Sequence, residues 1–506
     1  MELSQDQLKT LLRWRTSTFL VMLFGYIGYY MIRQNLSAAF PLMEKAFHYT
    51  NSELGLIAAS SEIVYAIGKF VNGPLADRLG GKKIFLLGMA GGIVCNLAFA
   101  FGSSILWFVV VWCICRYFLS MGWGGVAKTI GAWYEPEKNG TVMGWISLSF
   151  QFGGVLATLF AGWLVSQGQS WDKLFIYPAL IVTAVLVWSF FASKEEPGDV
   201  VPGASFHGEG HETSLANFES ESQVGAGQII NTLFAMSIFR HLLVFAFLTT
   251  FLRSIFIFWT PKFLVDIGMG NASAIFGSAL LPFLGCIGTI LLGWYTDTRA
   301  RHNRARAMWI MLVGLTLSLV GIALLAPSHK VQSASVSQPA PTAATARPSS
   351  AVPYNPAAPV PDQSQPTPAP QDPTASQEHS TPATHLAIVV LLGLSGFFLL
   401  GPYSMSAGAL TLDIAGARGA GTCAGIIDGM GYIGGALATW GAGKLSDSLG
   451  WSQVFWVLAA CALFSVGSAM LMSRHFNRVA QRLEAAVGAT GPLGKTGPLH
   501  HPPDKS

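Results

Sequence analysis

Charge is what this sequence lacks. Only 11% of its 506 residues are Asp, Glu, Lys or Arg, while 51% are hydrophobic. A soluble chain carries about 25% charged residues, so this one has too few to coat a surface that faces water. The net charge of +4 is too small to suggest a nucleic-acid partner, and no basic run with interleaved aromatics is present. Cysteine is sparse too. Cys95, Cys113, Cys115, Cys286, Cys423 and Cys461 all fall inside apolar segments, without a CxxC pair or a nearby His cluster. That spacing indicates neither a disulfide framework nor a metal site; the thiols read as small packing residues. Nothing points to a cofactor or to an enzyme. The stretch Ala489-Thr-Gly491-Pro-Leu-Gly494-Lys495-Thr496 approaches a phosphate-binding loop, but it lacks the first glycine and the strand-to-helix context. A nucleotide-driven pump is therefore not expected.

Long apolar runs are what the chain has. A bilayer core takes about 20 apolar residues per helix. Twelve such segments are read, at 16–41, 52–76, 83–102, 105–133, 140–166, 174–193, 240–266, 271–297, 306–326, 385–410, 419–444 and 452–475. Gly (55 residues) and Trp (15) suit close helix packing and membrane interfaces. The first run, after a polar start with Arg13 and Arg15, is too long for a cleaved signal peptide. The expected fold class is an all-α membrane protein of twelve spanning helices, with the lipid bilayer as its surroundings.

Most Lys and Arg residues fall on the side shared by the two termini. Lys45, Lys173, Lys262, Lys330, Arg347 and Lys444 are assigned to the other side. The bias places both termini in the cytoplasm. Residues 1–193 form a first six-helix half, and the polar stretch 194–239 is a cytoplasmic linker. Residues 240–475 form a second half, interrupted at 327–384 by a Pro-, Ala- and Ser-rich non-cytoplasmic loop that cannot build a core. Residues 476–506 are a cytoplasmic tail.

The halves repeat. An offset of 220 residues carries Arg33 onto Arg253, Pro41 onto Pro261, Gly73 onto Gly293 and Asp77 onto Asp297. Two pseudo-symmetric halves follow, with helices 1–2 and 7–8 in equivalent places. The segment Gly73-Pro-Leu-Ala-Asp77-Arg78-Leu-Gly80-Gly81-Lys82-Lys83 resembles the signature loop of the major facilitator superfamily. Gly73 would let helices approach, Asp77 would cap and pair across the half-interface, and Arg78, Lys82 and Lys83 would anchor the cytoplasmic face.

A charged group mid-membrane costs about 2.5–3.5 kcal/mol, so each needs a partner or a task. Arg33, Glu62, Lys69, Arg116, Lys128, Arg253 and Asp428 are such groups. Most are basic, so a cavity built from them would attract an anion. Arg33 and Arg253, from equivalent helices, can face each other across it, and guanidinium matches phosphate oxygens bidentately. Tyr26, Tyr30 and Arg33 share one helical stripe by spacing, as do Tyr65 and Lys69. Glu62 and Asp428 are the deep carboxylates available as ion-pair partners or as coupling groups.

The run Phe24-Gly25-Tyr26-Ile-Gly-Tyr29-Tyr30-Met-Ile-Arg33-Gln34-Asn35 resembles the first helix of the organophosphate:phosphate antiporters, the glycerol-3-phosphate, hexose-phosphate and glucose-6-phosphate carriers of that superfamily. Tyr65-Ala-Ile-Gly-Lys69-Phe70, Met121-Gly122-Trp123, Trp133-Tyr134-Glu135-Pro136, Arg253 with Trp259-Thr-Pro261, Gly401-Pro402 and Gly431-Tyr432-Ile-Gly434-Gly435 extend the likeness over both halves. The resemblance implies that Arg33 and Arg253 bind phosphate, with Tyr26, Tyr30, Tyr65 and Lys69 around it. It also implies that a functional monomer exchanges an organophosphate (a sugar phosphate or glycerol-3-phosphate) for inorganic phosphate by alternating access. Gln34, the run Ile146-Ser-Leu-Ser-Phe150-Gln151 and Asp428 depart from the family's pattern, so the parts that contact the organic moiety look changed. Two alternatives stay open: a membrane sugar-phosphate sensor of the same fold, and a proton-coupled carrier of another organic anion with Glu62 or Asp428 carrying the proton. A bacterial inner membrane is favoured over an organelle.

Overall fold

In a membrane core the backbone finds no water, so each apolar run must satisfy its N–H and C=O groups within itself, as a helix. A computed structural model describes residues 4–204, 231, 233–299, 303–327, 381–407 and 409–489. The elements run α1 (Gln5–Met31), α2 (Asn35–Phe47), α3 (Asn51–Leu79), α4 (Gly81–Ala100), α5 (Ile105–Leu119), α6 (Met121–Trp133), α7 (Pro136–Ser166) and α8 (Lys173–Ala192) in the first half. The second half holds α9 (Ser237–Asp266), α10 (Asn271–Ser278), α11 (Leu280–Thr298), α12 (Arg304–Leu325), α13 (Pro382–Ala407), α14 (Ala409–Leu449) and α15 (Trp451–Ala489). Among the described residues, ten single or paired helices are long and apolar enough to span a bilayer. The pair α1–α2 and the long α14 complete twelve spans.

Three runs read as continuous are broken. The first, expected as one span over 16–41, stops at Met31 and restarts at Asn35. Arg33 therefore stands in a non-helical break, and the single stripe expected for Tyr26, Tyr30 and Arg33 does not exist as drawn. The fourth breaks at Ser120, whose hydroxyl donates to the Tyr117 carbonyl at 2.6 Å and accepts from Asn72 Nδ2 at 2.7 Å. The eighth breaks at Ala279. Side-chain groups competing for main-chain partners are a known cause of such interruptions.

Inter-half packing is symmetric. Helix α3 lies along α14, and α7 lies along α10 and α11, which are corresponding pairs under a six-helix repeat. Gly443 makes the first contact close; a Cβ there would run into the Asn51 carbonyl. At the end remote from the termini, polar groups clasp the halves. Asp447 Oδ1 accepts the Asn51 N–H at 3.2 Å, and its Oδ2 accepts the Ser52 N–H at 2.8 Å, an anion on the positive end of α3. Lys262, assigned by charge bias to the aqueous far side, is instead fully buried between Glu44 (2.8 Å) and Asp266. Asp266 in turn accepts from Trp451 Nε1 at 2.8 Å. Burial of the ammonium is tolerated because two carboxylates pair with it.

At the termini end, α3 turns into α4 through Gly80 alone, at φ +96. A glycine there leaves α4 without a capping side chain of its own. Glu195 supplies it from beyond α8, accepting the N–H groups of Lys82 at 3.0 Å and Lys83 at 3.4 Å. Lys82 returns the favour to α8, its ammonium donating to the carbonyls of Phe190 (3.0 Å) and Ser193 (2.6 Å). Arg78 is exposed on the last turn of α3. The side chains of Gly73, Asp77 and Asp297 lie outside the described residues, as do most of the 194–239 linker, the 328–380 part of the long loop and the tail from 490.

The reciprocal cap has a measurable worth. Glu195→Ala should lower stability by about 1 kcal/mol, the usual loss for a removed helix cap, and Glu195→Gln by less. Thermal unfolding of the detergent-solubilised protein reads this; equal melting of Ala and wild type would mean that the cap contributes nothing.

Candidate functional site

The interior charges sort by partner. Glu62 on α3 takes Arg116 on α5 in an ion pair with side-chain exposures of only 4% and 1%. Asp428 on α14 takes Lys69 on α3, at 2.6 Å, across the half-interface. Both deep carboxylates are thereby used. Arg33 and Arg253 make no ion pair among the described residues, and this leaves two positive charges unmatched in the middle of the bundle. Lys128 is exposed near the end of α6.

Aromatic faces hold the two unmatched guanidiniums. Arg33 Nη1 donates to Tyr65 Oη at 3.2 Å. Its guanidinium carbon lies 4.6 Å from the Tyr65 ring centre and 5.3 Å from that of Tyr30. Arg253, 9% exposed on α9, sits 4.7 Å from the ring of Tyr403 on α13. Each such contact is worth about 0.5–2 kcal/mol, less than a buried carboxylate would give, so these cations remain available to an incoming anion. Tyr65 is the hub. Arg116 lies 4.3 Å and Lys69 5.7 Å from its ring, and Tyr432 packs on it at 5.0 Å.

Arg253 and Tyr30 line one cavity, with Gln34, Phe150, Gln151 and Thr158 among its walls. Tyr30 thus joins the two arginines: its ring faces Arg33, and its edge lines the space beside Arg253. A second cleft, beside Lys69 and Asp428, is walled by Trp123, Ser120 and Tyr432. Tyr26, expected beside the anion, lines neither of these two cavities. It packs on Tyr29, Tyr30 and Trp123 with centroids 5.4–5.8 Å apart, and supports Tyr30. Arg33, Arg253, Tyr30, Tyr65 and Lys69 are brought together from α1, the break, α3 and α9. Tyr403 was not anticipated; it lies directly after the Gly401-Pro402 pair but carries no signal of its own. Tyr432 could have been found, since it follows Asp428 by four residues and so shares its helix face.

Two uncompensated arginines, ringed by tyrosines at the meeting of two six-helix halves, make a site for a compact anion. Residues 22–340 match the family model of the Major Facilitator Superfamily. The chain belongs to the Major Facilitator Superfamily. It is an integral, multi-pass transporter, not an enzyme, and its partners are small molecules. Superfamily structures share its fold: a bacterial homologue of the human lysosomal transporter Spinster aligns with a TM-score of 0.68 at 15% identity, over 92% of this chain and 98% of the other. A D-xylose–proton symporter aligns with a TM-score of 0.63 at 12% identity, over 91% and 97%. Curated relatives cover nearly the whole length. A probable hexose phosphate transport protein of Chlamydia muridarum is 23% identical over 464 residues, 90% of each chain. A glycerol-3-phosphate transporter of Bacillus subtilis is 23% identical over 466 residues, 90% of this chain and 91% of its own. The membrane sensor protein UhpC of Escherichia coli is 23% identical over 467 residues, 89% and 90%.

The Glu62–Arg116 pair is expected to be architectural. Glu62→Gln leaves a guanidinium buried without its counter-ion and should destabilise the protein by about 3–5 kcal/mol. Glu62→Gln combined with Arg116→Met should recover most of that loss. Thermal unfolding of the three proteins decides it; a Gln variant as stable as wild type would instead make Glu62 a group free to give up its charge.

Proposed function

We propose that this transporter exchanges an organophosphate, a sugar phosphate or glycerol-3-phosphate, for inorganic phosphate by alternating access. The observation that carries the reading is the charge count: Glu62 and Asp428 neutralise Arg116 and Lys69, and Arg33 and Arg253 remain. A phosphate monoester carries about −1.5 to −2 charge near neutral pH, which two guanidiniums balance. The names of relatives from Chlamydia muridarum and Bacillus subtilis agree with that ligand class. The excess of Lys and Arg on the termini side supports cytoplasmic termini, and a bacterial inner membrane is the proposed host with one chain as the working unit.

The coupling follows from electrostatics. Bringing Arg33 and Arg253 toward each other in an empty, low-dielectric cavity is unfavourable. A phosphate between them removes the repulsion and supplies bidentate hydrogen bonds. Crossing is then tied to occupancy, which gives exchange in place of net flow. The two halves rock about the site; when the far end opens, Asp447 releases the start of α3 and Glu44 releases Lys262.

Counterflow tests this. Liposomes preloaded with phosphate should take up labelled phosphate, with unlabelled glycerol-3-phosphate or glucose-6-phosphate competing. Arg33→Lys and Arg253→Lys should each reduce exchange by about 100-fold or more, since an ammonium cannot grip phosphate with a planar fork. Full activity of either folded variant would refute the clamp. Absence of phosphate exchange by folded wild type would refute the exchanger and favour a sensor, as the name of the Escherichia coli relative would suggest.

The Lys69–Asp428 pair makes a second expectation. As long as Asp428 holds Lys69, the wall beside the phosphate is neutral and suits a hydroxylated moiety. Asp428→Asn frees one positive charge, so phosphoglycerate, with its extra carboxylate, should gain about tenfold in competition relative to glycerol-3-phosphate. An unchanged ratio would place the organic moiety elsewhere.

A further inference from the structure

The break between α1 and α2 decides where Arg33 stands, yet it contains neither proline nor glycine: residues 31–35 read Met-Ile-Arg-Gln-Asn. Carbonyls released by a break in a buried helix need other partners. The N–H groups of Arg33 and Gln34 both turn back onto the Tyr30 carbonyl, at 3.2 and 2.9 Å. The Ile32 carbonyl is taken by a side chain, Asn96 Nδ2 on α4, at 2.9 Å. Asn96 is fully buried. Its Nδ2 also lies 2.9 Å from the Gly92 carbonyl of its own helix, and its Oδ1 accepts from Asn35 Nδ2 at 2.7 Å. Asn35, first residue of α2, donates as well to the Leu174 carbonyl at the start of α8, at 3.1 Å. Two carboxamides therefore tie the break to α4 and α8.

The second half is the control that the fold itself provides. The 220-residue offset that pairs Arg33 with Arg253 places Ile255 opposite Asn35, and α12, the counterpart of α4, holds no Asn or Gln. There α9 runs unbroken from Ser237 to Asp266. The amide pair and the break occur together in one half and are absent together in the other.

We infer that Asn96 is a positioning residue for the binding site: it receives the Ile32 carbonyl and Asn35, holds the break open, and so keeps Arg33 against Tyr65. It lines neither of the two cavities described above. Only the transport arm of its test rests on the phosphate reading above.

Two measurements on the full-length protein test the inference. Hydrogen–deuterium exchange requires no substrate. Asn96→Leu, close to isosteric, should raise exchange of the amides of residues 31–36 at least tenfold while those of 250–256 in α9 stay unchanged. Unchanged protection at 31–36 overturns the inference. Phosphate homo-exchange in liposomes supplies the second readout. Asn96→Leu should raise KM for inorganic phosphate about tenfold with little change in maximal rate. Combined with Tyr65→Phe, which removes the hydroxyl that Arg33 contacts, the two effects should be much less than multiplicative; combined with Tyr403→Phe, beside Arg253, they should multiply. Multiplication with both tyrosines, or a fall in maximal rate alone, makes Asn96 merely structural and overturns the inference. Asn96→Ser, which keeps a small donor, stands in where the Leu variant does not fold. Wild type that exchanges no phosphate would overturn the exchanger reading, and the labelling result alone then decides Asn96.

Discussion

Two guanidinium groups lie in the middle of an apolar bundle, and among the described residues the deep carboxylates near them are held by other cations. That arrangement governs most of the interior. Had Glu62 or Asp428 paired with Arg33 or Arg253, the centre would be neutral and the cavity a gap between packed helices. Instead Glu62 is committed to Arg116, where both are sealed from solvent, and Asp428 reaches across the half-interface to Lys69. The remaining cations rest on Tyr65, Tyr30 and Tyr403, whose ring faces attract a cation without neutralising it. The tyrosines are thus not decoration around the arginines. They are what makes two uncompensated charges tolerable there.

The same requirement explains why the halves differ in detail while matching in plan. The offset of Arg33 onto Arg253 sets them at equivalent positions, but an exact copy would place both on continuous helices. One is on α9; the other is in a break held by Asn96 and Asn35. The far-end contacts show a related economy. They consist of hydrogen bonds and ion pairs such as Asp447 on the start of α3 and Glu44 on Lys262. Polar contacts at a water boundary can be exchanged for hydration when the halves separate, whereas an equal area of interlocked apolar side chains would resist parting. On the proposed reading, an interface that must open once per cycle is suited to that chemistry.

Much of this was legible in the sequence and some could not have been. Spanning helices follow from run length, because the bilayer imposes about 20 residues per crossing. The equivalence of Arg33 and Arg253 follows from one offset shared by four unusual residues. What fails to show is anything that depends on helix rotation and depth. Asp428 gave no sign that it would meet Lys69, since the two are 359 positions apart and only the α3–α14 crossing brings them together. Lys262 looked like an interfacial lysine because its partner Glu44 is on another helix. The break at Arg33 was invisible because breaks are usually sought at Pro and Gly, and this one is made by an asparagine on a neighbouring helix. The single stripe expected for Tyr26, Tyr30 and Arg33 failed for the same reason: spacing along a continuous helix was extended through a point where the helix stops.

The residues that depart from the family pattern fall in two places, and their separation carries an argument. Gln34, Phe150 and Gln151 wall the cavity that holds Arg253, and Asp428 walls the cleft beside Lys69. Gln34, where many relatives of the resembling family carry a basic residue, donates to the Ile257 carbonyl of the opposite half at 3.4 Å. Gln151 donates to Thr289, also across the interface, at 3.2 Å. A cation at position 34 would add a third unmatched charge to the pair; glutamine leaves the count at two and replaces a charge with a strut between halves. Asp428 acts in the same direction by cancelling Lys69. Both departures lower the positive charge around the site while Arg33 and Arg253 are kept. On the proposed reading, the grip on a dianion is retained on one set of helices, and the surroundings are made neutral on another. On that reading a site so divided changes the moiety it carries by altering residues such as 34, 151 or 428 without touching the two arginines that hold the charge.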